Sequence, residues 1–391
     1  MRTARQLLCP YCFTRWSTRE AAFRCLSTDR KRCAPVPDEQ AARYLGSPAQ
    51  VANRVVTRRS PPGIAYEPRL GRPVLCECGA PTAPVCPRCH RRLPQLFREH
   101  QSRSVALIGD RNAGKSHFIV TTLHEFEHRV GDRFGASLIL LDDYTMQLYH
   151  GELHPRLYEQ GKMLLNTQSS RAAASTVRAP LAAMLTVGQY PKLSYTNLIF
   201  FDSAGEDLGR LDVMEREARY ITQADAVIML IDPLQIPAIR NSLRGVDLPD
   251  PSREDQLSLL VRFAALLREA RALSARAPIP IPLAITVSKL DAIRPLLDPG
   301  NPVLEASSQD RFFEWQRAKD ISEFLRAEVS AWLGEGFDRF VRQNFRYSSY
   351  FGVSALGSPP RNGQLTHGVS AFRVEDPLLW LLARWGGVAT R

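Results

Sequence analysis

The sequence predicts an α/β fold: a mostly parallel sheet with helices on both faces, preceded by a small Cys-rich module. Three observations predict it. From residue 104 onward, short apolar and β-branched runs alternate with longer helical patterns. All eight cysteines lie between Cys9 and Cys89. Charge is divided in the same way: residues 1–103 hold 19 Lys and Arg against seven Asp and Glu, whereas residues 104–391 hold 32 against 33. The 391-residue chain therefore reads as two domains, a basic module over 1–103 and a near-neutral domain over 104–391.

Composition excludes several classes. With 44% apolar and 23% charged residues, the chain is neither disordered nor fibrous. No apolar run reaches the roughly 18–20 residues of a membrane span. The opening MRTARQLLCPYCF lacks the apolar core of a signal peptide, which predicts a cytoplasmic protein. Arg outnumbers Lys by 45 to 6, a bias that points to genome composition.

The first element is the Cys-rich module. Its cysteines are spaced Cys9-x2-Cys12, Cys25, Cys33, Cys76-x-Cys78 and Cys86-x2-Cys89. Two thiolates two residues apart can turn onto one tetrahedral ion, with backbone N–H groups pointing at the sulfurs. Eight ligands make two four-cysteine zinc sites. The simplest pairing takes Cys9, Cys12, Cys25 and Cys33 together, then Cys76, Cys78, Cys86 and Cys89; an interleaved pairing, as in cross-braced modules, is the alternative. Disulfides suit a cytosolic chain poorly, and ribbon-like spacing favours zinc over iron–sulfur. His90 beside Cys89 reads as a surface histidine rather than a ligand. The Pro- and Arg-rich stretch between Cys33 and Cys76 reads as a linker holding one short strand, Gln50–Val56. Tyr11, Phe13, Trp16 and Phe23 could stack on nucleic-acid bases, but more readily form a miniature core beside a metal site.

Next comes SVALIGD, a buried strand, leading into Gly109-Asp110-Arg111-Asn112-Ala113-Gly114-Lys115-Ser116-His117 and a helical pattern over Ser116–Arg129. Strand, glycine-bounded loop and helix N-terminus form the context that confirms G-x4-G-K-S as a phosphate loop. Its N–H groups would wrap the β-phosphate, Lys115 would reach β- and γ-oxygens, and Ser116 would ligate Mg²⁺. A second strand, Asn197–Phe201, ends in Asp202-Ser-Ala-Gly205. Asp202 would join the Mg²⁺ shell and Gly205 would offer its N–H to the γ-phosphate; the bland alternative makes Asp202 a helix cap. A third, Leu283–Val287, ends in Ser288-Lys289-Leu290-Asp291. The Asp291 carboxylate can accept two hydrogen bonds from guanine N1–H and its 2-amino group, a donor pair adenine lacks, while the stem of Lys289 would pack along the base. In FRYSSYFGVSALG a last strand ends in Ser354-Ala355-Leu356, where N–H groups can meet the guanine O6.

These four motifs, in this order, resemble the translation-factor-related (TRAFAC) class of P-loop GTPases over essentially all of 104–391. With the module running from CPYCF to CPRCHRRLP and the end DPLLWLLARWG, the chain resembles bacterial double-GTPase family proteins of type 2. The resemblance implies a GTPase-type P-loop fold. It also implies hydrolysis of GTP to GDP and phosphate, and a switch working with a protein partner or a second GTPase. Alternatives are a nucleotide-dependent nucleic-acid factor using the basic module and a GTP-binding scaffold that hydrolyses little.

Three departures qualify the resemblance. Glu206 stands where Ras-like members carry the water-positioning Gln; a carboxylate there would repel a γ-phosphate, so intrinsic turnover should be slow and partner-accelerated. Ser288 stands where guanine readers usually carry Asn. Asn112 resembles the Asn of potassium-dependent members, which would add K⁺ to the cofactors, although Asn also tolerates the backbone angles of such a loop. The switch threonine is Thr167 or Thr176: Thr176 lies nearer the following strand, while Thr167, in LLNTQ, fits the double-GTPase pattern better. Arg111, Arg171, Arg178 and Arg210 are candidate arginine fingers.

Further strands read at Ser137–Leu141, Leu181–Val187 and Ala226–Ile231. Further helices read at Arg210–Gln223, Arg253–Arg276, Ser308–Trp332 and Pro377–Trp385. Leu257, Leu260, Val261, Ala264 and Leu267 form the expected core stripe of the helix from 253, and Asp247–Asp255 reads as a loop.

Overall fold

The computed structural model describes residues 6–45, 48, 50–57, 74–94, 100–110, 112–165, 180–189, 191–202, 220, 222–243, 248–251, 255–307 and 309–391. The Cys-rich part contains β1 (Gln6–Leu8), β2 (Arg15–Ser17), β3 (Ala22–Cys25), β4 (Val36–Asp38), β5 (Gln50–Ala52), β6 (Val55–Thr57) and β7 (Thr82–Val85). One seven-stranded sheet follows: β8 (Gln101–Gly109), β9 (Ala136–Leu140), β10 (Leu181–Gln189), β11 (Lys192–Asp202), β12 (Ala226–Ile231), β13 (Leu283–Val287) and β14 (Ser348–Gly352). Its order is β14-β13-β12-β8-β11-β10-β9. Only β10 runs against the rest.

Strands buried on both faces need apolar side chains in both directions, and the central strands supply them. In β12, Ala226, Ile228 and Leu230 enter one core and Val227, Met229 and Ile231 the other. Helices Lys115–Glu127 and Asp376–Trp385 cover the first face. The second is covered by helices Gln256–Ala270, Trp315–Leu333 and Glu335–Asn344. No helix among the described residues is long and apolar enough to cross a membrane.

Several boundaries differ from expectation. The helix expected from 253 begins at Gln256, because Asp255 caps it by accepting from the Leu257 and Ser258 N–H groups, and it stops at Ala270. That phase buries Leu259, Leu260, Phe263, Ala264 and Leu267 and leaves Val261 exposed. The helix expected from Ser308 begins only at Trp315, since Phe313 instead exchanges backbone hydrogen bonds with Ala389 and Arg391 near the C-terminus. Gly334, at φ +83°, separates it from Glu335–Asn344, a helix the sequence reading missed. Gln50–Val56 is two strands, broken where the Asn53 amide bonds the carbonyls of Cys25 and Ser27. Most of the expected helix Arg210–Gln223 lies outside the described residues.

The Cys-rich part docks on the second core. Leu8 and Phe13 are buried there with Ala106, Ile108 and Ile199, and the Phe13 and Tyr220 rings lie 5.1 Å apart. The Tyr220 hydroxyl donates to the Val105 carbonyl and accepts from the Leu107 N–H, so Phe13 rests on a side chain fastened to β8. Arg15 closes the edge with a 2.9 Å ion pair to Asp225.

Helix Asp376–Trp385 is fastened to helix Lys115–Glu127. Thr122 Oγ1 donates to the Val374 carbonyl, and Arg129 pairs with the buried Glu375 at 2.9 Å. Burial, then the neighbouring Asp376 carboxylate, outweigh Arg129 and push the Glu375 carboxyl up to about 7. Between the unfolded carboxyl value of 4.5 and about 7, the folded state holds the extra proton. The associated stability is therefore present at acid pH and lost as pH rises through about 7. Glu375→Gln should melt like the wild type near pH 5 and at higher temperature near pH 8, a difference that circular-dichroism melts would detect.

Candidate functional site

Parallel pairing aligns the C-terminal ends of the central strands. Gly109 of β8 pairs with Leu230 of β12, Ile231 with Val287 of β13, and Val287 with Gly352 of β14; Asp202 of β11 lies opposite Leu107. The four predicted motifs thus begin along one rim of the sheet, where α/β sheets place their ligands.

At the centre, β8 ends at Gly109, where a side chain has no room: a Cβ there would lie 2.6 Å from the Leu230 carbonyl oxygen. Asn112 and Gly114 take positive φ values of 65° and 88°, and the helix starts at Lys115. The Lys115 ammonium turns back over the loop, donating to the carbonyls of Gly109 and Asp110 at 3.0 Å each. Asp110 and Ala113 are buried, and Ser116 opens the helix beside them. His117 does not face the loop. Its Nε2 accepts from the Leu164 N–H at 3.0 Å, tying the helix to the chain that runs toward Thr167. Burial, then the charge of Lys289, hold this imidazole down to about 4, so at neutral pH it is the acceptor the contact requires.

The neighbouring loops are fastened side by side. Ser288 donates both its N–H and its hydroxyl to the Ile231 carbonyl, and Leu290 N–H reaches the Val353 carbonyl. Ser354 Oγ donates to Asp291 at 2.5 Å and accepts from Gly357 N–H at 2.8 Å. The segment Ser354–Leu356 is held in turn by backbone bonds to Phe372 and Ser370. Lys289 stands at φ +50°, and its ammonium pairs at 2.6 Å with the buried Asp232 at the end of β12. Sequence reasoning placed Asp232 on this strand end but assigned it no role; a carboxylate closing the apolar run AVIML-ID was the available signal. Arg111, Thr167, Arg171, Thr176, Arg178, Gly205, Glu206 and Arg210, with the side chain of Asp202, lie outside the described residues.

The cysteines converge in two groups, but not in the expected sequential pairing. Cys9, Cys12, Cys86 and Cys89 form one cluster; Cys25, Cys33, Cys76 and Cys78 form the other. The pairing is nested rather than cross-braced, and strand direction explains it. Antiparallel pairing of β3 with β7 sets Cys25 opposite Thr82 and Ala22 opposite Val85. The chain before β7 therefore meets the end of β3, while Cys86, after β7, returns to the first cysteine pair. Within the clusters, sulfurs lie 3.8 Å (Cys9–Cys89), 3.7 Å (Cys12–Cys86), 3.6 Å (Cys25–Cys78) and 3.9 Å (Cys33–Cys76) apart. Four sulfurs at about 2.3 Å from one zinc ion have edges near 3.8 Å, so both clusters fit that metal. The N–H groups of Tyr11, Ser27 and Arg88 each reach the sulfur two residues back.

Tyr11, Trp16 and Phe23 are buried around the outer cluster, so they are not a base-stacking platform. His90 is neither a ligand nor a free surface group: its Nδ1 lies 2.8 Å from Asp38, which also pairs with Arg24 at 2.5 Å.

No protein-family model matches the chain. A protein of Mycolicibacterium smegmatis named "Putative ESX-1 scaffolding and assembly protein SaeC" is 28% identical over 397 residues, covering 97% of this chain and 99% of its own. Among solved structures, the GTPase-like domain of S. cerevisiae Ski7 bound to GDP and phosphate is 15% identical, with a TM-score of 0.33. That match covers 74% of this chain and spans 51% of the Ski7 chain. The Arl6 BBS3 small GTPase of Trypanosoma brucei is 13% identical at a TM-score of 0.28, covering 74% of this chain and all of that one. At these scores the structural likenesses carry no weight, and the fold rests on the sheet described above.

Nested pairing has a direct test. Purified protein should hold two zinc ions per chain, and Cys12→Ser with Cys86→Ser should lose one of them, because both residues serve one cluster. Sequential pairing would lose both, a result that elemental analysis would reveal.

Proposed function

We propose that the chain binds GTP with Mg²⁺ at the strand-end rim and hydrolyses it slowly to GDP and phosphate. It would act as a switch whose output is a protein partner. The observation that carries this reading is the convergence of Gly109–Ser116, the end of β11, Ser288–Asp291 and Ser354–Leu356 on strand ends along one rim of the sheet. Residues 104–391 would form the GTPase domain, of the type 2 double-GTPase kind, and residues 1–103 its zinc module.

Lys115, now satisfied by two loop carbonyls, would exchange them for phosphate oxygens and neutralise their charge. The hydroxyl of Ser116 and carboxylate of Asp202 are hard oxygen donors suited to Mg²⁺, which when bound adds positive charge at the β- and γ-oxygens. The remaining lone pairs of Asp291 would take the guanine N1–H and amino group, with Ser354 fixing the carboxylate from behind. Backbone N–H groups of Ala355 and Leu356 would border the position of O6, whereas that of Ser354 is already donated to the Phe372 carbonyl. Catalysis would be positioning and charge neutralisation, with water attacking in line. Glu206 leaves the water without the neutral partner that Gln would provide, which is why acceleration is assigned to a partner. SaeC, by its printed name a scaffolding and assembly protein, supports a protein rather than a nucleic acid in that role. A second GTPase is one such partner. The zinc ions serve folding, since four thiolates leave no open ligand position.

GTP should bind at least about tenfold more tightly than ATP in equilibrium titration. Asp291→Asn, whose amide offers a donor to the 2-position of the base, should lose GTP and gain xanthosine triphosphate; an unchanged preference would refute the base assignment. Lys115→Ala should weaken binding by about 10- to 100-fold. The positive φ of Asn112 favours that residue type by itself, and on this reading phosphate release should be equal in K⁺ and Na⁺, whereas faster release in K⁺ would give Asn112 a part in holding that ion. Glu206→Gln should leave the rate of release unchanged or raised.

A further inference from the structure

The geometry points to Asp232 as a positioning residue that sets purine selectivity by holding Lys289, and with it the base-facing loop, in place. This rests on the guanine-nucleotide reading and adds to it a residue from a strand end that none of the four motifs contains.

Asp232 closes β12, between the strand that ends in the phosphate loop and the strand that ends in Ser288–Asp291. Its side chain is fully buried, with 0% exposure. One oxygen, Oδ1, accepts from the Leu234 N–H at 3.0 Å and caps the short turn Pro233–Gln235. The other, Oδ2, takes the Lys289 ammonium at 2.6 Å. A cap needs only one acceptor, which Asn or Ser supplies as well as Asp. A buried negative charge is costly unless paired, so the second oxygen is explained by Lys289 and not by the turn.

Lys289 in turn needs a hold. It is a non-glycine residue at φ +50°, a left-handed conformation that costs about 1 kcal/mol or more. Each polar side chain of its loop is anchored to a different neighbour. Ser288 spends its hydroxyl on the Ile231 carbonyl, and Asp291 is fixed from the β14 side by Ser354. On the β12 side, the Lys289–Asp232 pair is the side-chain ion pair that sets how far the loop leans toward the phosphate loop. The Asp110 carboxylate acts on Asp232, and the Lys289 ammonium on His117. Releasing Lys289 lets the loop shift relative to Ser354. Because Asp291 makes its paired contact only with guanine, the shift weakens GTP more than ATP.

The test is purine selectivity in Asp232→Asn, an isosteric change that keeps the turn's cap and removes the charge. GTP affinity should fall about tenfold and the GTP-to-ATP ratio with it, while the thermal midpoint moves by only a few degrees. Asp232→Ser, which also retains a cap, should behave in the same way and serves if the Asn variant does not fold. In a double-mutant cycle, Asp232→Asn with Lys289→Met should be no worse than Lys289→Met alone, since both remove one interaction. An unchanged GTP-to-ATP ratio in both Asp232 variants, or additive losses in the cycle, would overturn the proposal while leaving the guanine reading intact. A wild-type protein that does not distinguish GTP from ATP would overturn the guanine reading itself.

Discussion

Everything at the rim depends on β8, β12, β13 and β14 running parallel and ending together. A one-residue slip would move every side chain of a strand to the opposite face, and here each face packs its own set of side chains into a separate close-packed core, which such a slip would disrupt. Gly109 shows how tight the packing is, for its Cα approaches the β12 backbone too closely for any Cβ. Because the strand ends are fixed, short loops suffice to bring distant sequence into one place. Residues separated by more than 200 positions are joined by contacts such as the one between Thr122 and Val374.

Three buried carboxylates bridge separate parts of the chain. Asp38 is paired with Arg24 and His90, Asp232 with Lys289, and Glu375 with Arg129. Each pair joins separate pieces of the chain: the linker to the sheet of the Cys-rich part, one strand end to the next, and the start of helix Asp376–Trp385 to the chain just after helix Lys115–Glu127. In apolar surroundings a charge without its partner is strongly disfavoured. These contacts therefore select one arrangement of pieces whose apolar faces would tolerate several.

Much of this was legible because it is local. Gly109–Ser116, the strands behind the rim and Ser288–Asp291 declare themselves through a change from apolar run to glycine or charge, and in the structure both segments follow strand ends. What escaped depends on remote partners. Phe13 looked like its neighbours Tyr11 and Trp16, yet it points into the other core because Tyr220 waits there. Cysteine pairing followed the direction of β3 against β7, which spacing does not encode. The late start of helix Trp315–Leu333 reflects pairing of Phe313 with residues near the C-terminus. Asp232 was visible as a residue, but its role appears only with Lys289 beside it.

The nested cysteines also impose an order on biosynthesis. As the chain leaves the ribosome, the inner cluster gains its last ligand at Cys78, and the outer one must wait for Cys89 although its first two thiols emerged earliest. Cys9 and Cys12 thus spend most of the module's translation without their partners, open to oxidation. Even when all eight cysteines have been made, Leu8 and Phe13 stay uncovered until Tyr220 and the strands around it follow. Leu8 and Phe13 are thus translated well ahead of the residues that bury them.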